Sequence, residues 1–206
     1  MFDVSSPISG PIDVRMVESP LDRYAVFQLR HRVLVPSEAD LGRGFTESNG
    51  RLIEPADSGA EFVAAFGADG TALAALRRQP LLDVLKAEDR FKALLGVAHR
   101  LGSDPRRVST SSGFIIDPLV SSGANLALRI FATMLRKSAV EGIAHELCWA
   151  DEGQQQGRLR LGYVDARTRI LDIDGAPMQV LSLKVGRRTT EGSSISRFFR
   201  RVMNAA

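Results

Sequence analysis

The chain has 206 residues, 44% of them hydrophobic and 25% charged, with a formal net charge of +3. That balance excludes a disordered chain, and the length fits a single domain able to bury a core. One cysteine, Cys148, excludes a disulfide framework and points to a reducing, cytoplasmic setting, and no segment approaches the roughly 18 apolar residues of a membrane span.

Met1 to Gly10 has neither a basic n-region nor an apolar run, so no signal peptide is expected. The first predicted strand alternates over Ile12–Val17. Ser19, Pro20 and Asp22 then form a helix start, and Leu21, Tyr24, Ala25, Gln28 and Leu29 carry the helix to about Arg32. From Ser37 to Gly59 the residues are Gly, Ser, Asn and acids without periodicity, which predicts a long loop of the kind that often serves a site. Phe62–Phe66 and Thr71–Leu76, joined through Asp69-Gly70, predict a hairpin.

Pro80 is expected to open a helix with Leu81, Val84, Leu85, Phe91, Leu94, Leu95, Ala98 and Leu101 on its apolar face, ended by Gly102. A strand follows over Val108–Ile116, then a helix from about Ala124 to Glu141, stopped by Gly142. Ala144–Ala150 reads as a strand, Gln154–Leu161 as a short helix, and Tyr163–Ile173 and Met178–Val185 as strands. Alternation of strands and helices predicts parallel pairing in the second half, and the hairpin predicts antiparallel pairing in the first. The expected class is α/β, with a mixed sheet flanked by helices.

Charge is uneven. Residues 187–206 hold Arg187, Arg188, Arg197, Arg200 and Arg201 against Glu191, so this tail carries +4 and the remainder −1. The reading divides the chain into a domain over 1–186 and a basic amphipathic tail over 187–206. Ile195, Phe198, Phe199, Val202 and Met203 fall at helical spacing between those arginines. Such a helix suits peripheral contact with an anionic membrane through 195–203, or an acidic carrier protein, or packing on the domain or pairing in a dimer. Aromatic platforms and recognition motifs for nucleic acid are lacking, so no nucleic-acid partner is expected.

The element order resembles the GNAT N-acyltransferase fold over about residues 12–185. Two segments carry the resemblance locally. Phe114, Ile115 and Ile116 lead through Asp117-Pro118 to Ser121, Ser122, Gly123, Ala124 and Asn125, which resembles the family's strand, pyrophosphate loop and helix. The resemblance makes these the residues for the donor's phosphopantetheine and pyrophosphate, because backbone N–H groups at a helix start hold anions. Leu159-Arg160-Leu161-Gly162-Tyr163 resembles the family's "rLGF". Ser121 stands where the family has Gln or Arg, and the tyrosine that reprotonates the leaving thiol in many members would fall near Arg158.

Leu29-Arg30-His31-Arg32-Val33, the pair Glu54 and Asp57, and Arg77-Arg78-Gln79-Pro80 resemble acyl-homoserine-lactone synthases and long-chain N-acyl amino acid synthases. In the strand where the lactone synthases carry "ExSRF", this chain has Thr110, Ser112, Gly113 and Phe114, which favours an amino acid synthase or an acyltransferase of a biosynthetic cluster. The resemblance implies an acyltransferase that moves a medium or long acyl group from acyl-coenzyme A or acyl carrier protein to an amine such as an amino acid. No tightly bound cofactor is implied. A GNAT-like domain that binds a carrier or partner protein without turnover is the alternative.

Aminolysis of a thioester needs a proton acceptor and support for the oxyanion. Glu54, Asp57 and Glu61 are the candidate catalytic acids, or else solvated loop acids. Arg30 and Arg77 are candidates for binding an acceptor carboxylate, or else partners of Glu54 and Asp57. His31, His99 and His145 share no ligand spacing with each other or with Cys148, so no metal is expected. Cys148 and Trp149 read as core, and the hydroxyl run Ser109-Thr110-Ser111-Ser112 either lines a channel or sits at a splayed strand end.

Overall fold

A computed structural model describes residues 11–35, 45–87, 91–120, 123–171 and 175–185. Strand β1 (Asp13–Met16) is followed by α1 (Pro20–Leu34). The start of α1 is the one predicted: Ser19 Oγ accepts from Asp22 N at 3.0 Å, with Pro20 in the first turn. Val26, Phe27, Leu29 and Arg30 are its buried residues, so one face of α1 packs on the sheet and carries a charge into it.

Part of the expected long loop is structured. β2 (Thr46–Ser48) and β3 (Arg51–Ile53) pair as a hairpin, turned by Asn49 and Gly50 at φ of 51° and 69°. Both turn residues lie in the left-handed region, where Asn-Gly is the favoured dipeptide. A 3-10 turn over Pro55–Asp57 links the hairpin to β4 (Glu61–Phe66). β5 (Ala72–Pro80) is longer than predicted and takes in Arg77, Arg78 and Gln79.

Pro80 therefore closes a strand, and the single long helix expected after it is two helices, α2 (Leu81–Ala87) and α3 (Lys92–Arg100). β6 (Val108–Ile116), α4 (Gly123–Val140), β7 (His145–Ala150), α5 (Glu152–Arg160), β8 (Val164–Leu171) and β9 (Pro177–Lys184) follow the predicted order.

The main sheet has seven strands in the order β1-β4-β5-β6-β7-β9-β8. Its mixed character is as expected, but the second half is mostly antiparallel: only β6 and β7 run parallel, and β9 inserts between β7 and β8. Helix α5 is nine residues long and β8 leads by a hairpin into β9, so these two strands have no crossover to make them parallel.

Helices cover both faces. Phe62, Ala64 and Phe66 of β4 pack with Val26, Phe27 and Leu29 of α1, whereas Val63 and Ala65 pack with Leu126, Ile130, Phe131 and Met134 of α4. Leu81, Val84, Leu94 and Val97 extend the α1 face over Val108, Leu147 and Val180. Alanines at 64, 65, 72, 74 and 75 are fully buried, which lets α1 and α4 approach the strands closely.

Among the described residues no helix is long and apolar enough to cross a membrane. The tail 187–206, including 195–203, lies outside them.

Candidate active site

The parallel pair β6–β7 is short. It runs from Val108 opposite His145 to Ser111 opposite Cys148, yet β6 continues to Ile116. Beyond Ser111 the two strands part and leave one edge of β6 unpaired by β7. On its other edge, β6 has an extra residue against β5: Ala75 faces Ile115, but Arg77 faces Ser112. Gly113 takes up the bulge at φ 60°, a conformation that side chains disfavour. A Cβ there would stand 3.5 Å from Arg30 Nη2.

Four of the predicted residues meet beside this bulge. Arg30 Nη1 donates to Asp57 Oδ2 at 2.6 Å, and Arg77 Nη1 donates to Glu54 Oε2 at 2.5 Å and Asp57 Oδ1 at 3.1 Å. Glu54 N donates to Asp57 Oδ2 at 2.8 Å, the capping contact of the 3-10 turn, so the acids three apart are positioned by local backbone. Arg77 Nε donates to Ser112 Oγ at 3.1 Å. Burial lowers the affinity of Arg77 for its proton, but the charges and hydrogen bonds of Glu54 and Asp57 outweigh it and hold the guanidinium above its usual range.

The cluster has two cations and two carboxylates, all mutually engaged, but the members differ in access. Asp57 is 2% exposed and Arg30 also 2%, while the Glu54 side chain is 21% exposed. Arg30 Nη2 is buried with no hydrogen-bond partner, so one donor of the cluster is unused next to Gly113.

Glu61 is not in this group. Strand alternation turns Phe62 and Arg77 to the α1 face and Glu61 and Arg78 to the α4 face, where Glu61 pairs with Arg78 and lies 3.8 Å from Lys137. Arg78 also donates to Ser138 Oγ at 3.1 Å and Glu141 Oε2 at 2.6 Å.

The hydroxyl run is fully engaged. Ser109 Oγ donates to Glu146, Thr110 Oγ1 donates to Gln79 O at 3.3 Å, Ser111 Oγ meets Tyr163 Oη at 3.4 Å, and Ser112 receives Arg77. Glu146 is wholly buried on the α4 face, and burial pushes its carboxyl up to about 7 against the hydrogen bonds from Ser109 and Ser138 and the charge of Arg78. Cys148 is core, as read from the sequence, and burial pushes its thiol up to about 12, which makes it a poor nucleophile.

Of the predicted donor residues, Phe114 and Ile116 pack on the α4 face and Ile115 on the α1 face, all past the point where β7 departs. Gly123 begins α4, where a Cβ would stand 3.2 Å from Ile116 Cδ1, and Asn125 is exposed in the first turn. Ala124 is the second residue of α4, and Ser121 and Ser122 lie outside the described residues. Sequence reasoning named Ser112 in the hydroxyl run and Gly113 in the strand but missed the bulge that Gly113 makes, and it missed Glu146. A glycine inside an apolar strand was the available signal for the bulge. His145 bonds Ser103 Oγ at 2.9 Å, and no group of residues able to hold a metal occurs among the described residues.

No family model matches the chain, and no curated protein matches its sequence. Solved structures do. A CoA-dependent acyl-homoserine lactone synthase, BjaI, determined with SAM and isopentyl-CoA, superposes with a TM-score of 0.68 at 16% identity, over 94% of this chain and 90% of its own. FeeM, an N-acyl amino acid synthase from uncultured soil microbes, gives 0.61 at 12% identity, over 92% and 99%. A GCN5-related N-acetyltransferase from Kribbella flavida gives 0.52 at 14% identity, over 84% and 97%. With the seven-stranded mixed sheet, the bulged β6 and its parting from β7, these likenesses show that the chain has a GNAT-like fold.

Proposed function

We propose that the protein is an N-acyltransferase that moves a medium or long acyl group from coenzyme A or acyl carrier protein to the amine of a small molecule such as an amino acid. The observation that carries this reading is the meeting, at Gly113, of the unpaired edge of β6 with the Arg30–Asp57–Glu54–Arg77 cluster. The edge over Phe114, Ile115 and Ile116 offers backbone N–H and C=O groups that the amides of a pantetheine arm would satisfy. The first turn of α4, with Ser121 and Ser122 before it and Gly123, Ala124 and Asn125 within it, is the reading's place for the donor's phosphates.

On the other side of the bulge, Glu54 and Asp57 attract the acceptor's ammonium group. Glu54, the more accessible, takes its proton directly or through a water. Arg30 Nη2 is the donor left for an acceptor carboxylate, and Arg77 holds both acids in place. The amine nitrogen then bonds to the thioester carbon, the C–S bond breaks and the electron pair leaves on sulfur. Glu61, on the opposite face, takes no part in this reading beyond its pairing with Arg78. BjaI is a CoA-dependent synthase determined with isopentyl-CoA and FeeM is an N-acyl amino acid synthase, which supports this donor and acceptor class. A cytoplasmic setting and a basic tail that meets an acidic carrier or a membrane surface complete the reading.

The test is thiol release from acyl-coenzyme A and acyl carrier protein of several chain lengths, with a pool of amino acids as acceptors. Release with one carrier and a matching mass increase on one amine is the expected result. A second reading, a GNAT-like domain that binds a carrier without turnover, is favoured by the mutual pairing of all four cluster charges. It predicts stabilisation by a thioester with no thiol released.

A further inference from the structure

The main sheet ends in two edge strands, β1 and β8, and an open edge is a template for a further strand. β8 is blunted against that use. Its ladder shifts between Asp165 and Thr168, Arg167 sits at φ 51°, and Arg100 donates to Ala166 O at 3.3 Å. β1 carries no such device. Its register against β4 is unbroken from Asp13 to Met16, and no proline interrupts it.

The hydrogen bonds say which backbone groups face outward. Val17 N donates to Phe62 O at 2.8 Å, and the same register sets Arg15 opposite Ala64 and Asp13 opposite Phe66. Bonds alternate along an antiparallel ladder, so residues 13, 15 and 17 direct their N–H and C=O groups to β4. Ile12, Val14 and Met16 turn theirs to the open side. There Arg129 donates to Ile12 O at 2.9 Å, and no strand pairs among the described residues.

The side chains form a pattern that reads alike from both ends. Ile12, Val14 and Met16 lie on the α4 face, each only partly buried. Asp13 and Arg15 lie on the α1 face, where Arg15 pairs with Asp13 and, at 2.8 Å, with Asp22. Both stay open to solvent, with side chains 61% and 43% exposed. Turned about a two-fold axis at Val14, this segment meets itself in antiparallel register. Val14 then faces Val14, Ile12 faces Met16, and Asp13 faces Arg15. The pairs with outward backbone groups become the hydrogen-bonded ones, the apolar row continues across the axis, and each acid meets a base.

We infer that β1 is a self-association edge, at which residues 12–16 of two copies of this chain pair across a two-fold axis at Val14. The contact is isologous and joins two seven-stranded sheets into one. β4 and β5 stand between β1 and β6, so the bulge at Gly113 in each copy stays clear of the axis. The inference is independent of the acyltransferase reading. Five residues a side make a small contact, so the dimer is a reversible one.

Sedimentation equilibrium of the full 22.4 kDa chain, loaded up to about 200 µM, is expected to show a monomer in exchange with a dimer. Val14→Pro removes an outward N–H that β4 does not use. It is expected to weaken association by more than about tenfold, with the melting temperature within a few degrees of wild type. Asp13→Arg sets like positive charges against each other across the axis, and Arg15→Asp sets like negative ones. Each alone is expected to weaken association about tenfold. Mixed in equal amounts, these two variants are complementary again and should form a mixed dimer as tight as wild type, which a merely local role for either residue would not produce. Wild-type protein that stays monomeric overturns the inference. So does a dimer that Val14→Pro leaves intact, or a mixture that associates no better than its parts.

Discussion

Arg30 and Asp57 meet at 2.6 Å with both side chains almost wholly enclosed, and the contact ties the middle of α1 to the turn that precedes β4. Asp57 is also engaged by Arg77 and by the Glu54 amide. Removing it leaves two buried guanidinium groups with only the partly exposed Glu54 between them. Asp57→Ala is expected to cost about 3–5 kcal/mol, the penalty for breaking a buried pair from one side. Urea denaturation checks this, and an unchanged midpoint would refute it.

Glu54 offers the complementary case. Its carboxylate is more exposed and its loss leaves Asp57 in place, so Glu54→Gln should keep the fold and lose the proposed proton acceptor. Thiol release is expected to fall by about 10²–10⁴-fold while the melting temperature moves by only a few degrees. A variant that turns over normally would remove Glu54 from the mechanism.

Gly113 has the conformation and the neighbour that a side chain would disturb. Gly113→Ala places a methyl group at φ 60° and 3.5 Å from Arg30 Nη2. The expected cost is about 1–2 kcal/mol of stability, together with weaker acceptor binding seen as a raised KM. Wild-type KM in a folded variant would argue against a role for Arg30 Nη2.

Glu146 predicts a pH dependence. Burial raises its carboxyl from an ordinary value of 4.5 to about 7, so between those values the folded protein keeps a proton that the unfolded chain releases. Stability from this group is complete below about pH 4.5 and is lost as pH rises through 7. Glu146→Gln removes the titration. It should melt higher than wild type at pH 8, by up to about 3 kcal/mol, with the advantage gone by pH 4. Parallel pH curves for the two proteins would contradict the assignment.

Much of the fold was legible because its signals are local. Ser19-Pro20 caps α1, and Gly142 stops the helix that follows β6. The β2–β3 hairpin escaped notice because three-residue strands carry little periodicity, and those of β2 are all exposed. The break between α2 and α3 was hidden by apolar residues on both sides of it. At the site, Arg30, Glu54, Asp57 and Arg77 were named together, but the exclusion of Glu61 depends on strand register, which puts Glu61 and Phe62 on opposite faces. Arg158 could be placed in the sequence, but that no carboxylate among the described residues pairs with it is a property of the packed state alone.

The parting of β6 from β7 has a further consequence, for folding and for local opening. The strands β1, β4, β5 and β6 form one antiparallel block and β7, β9 and β8 another, and the sheet is continuous between them only through the four residue pairs from Val108–His145 to Ser111–Cys148. Hairpins such as β4–β5 and β8–β9 close over short loops, whereas this seam must wait for the whole of α4. The seam is thus the late step in assembly and the natural line of sub-global opening. Exchange should run faster at the amides that bridge β6 and β7 than within β4–β5, so the molecule can part where the proposed donor would enter while each block keeps its own structure.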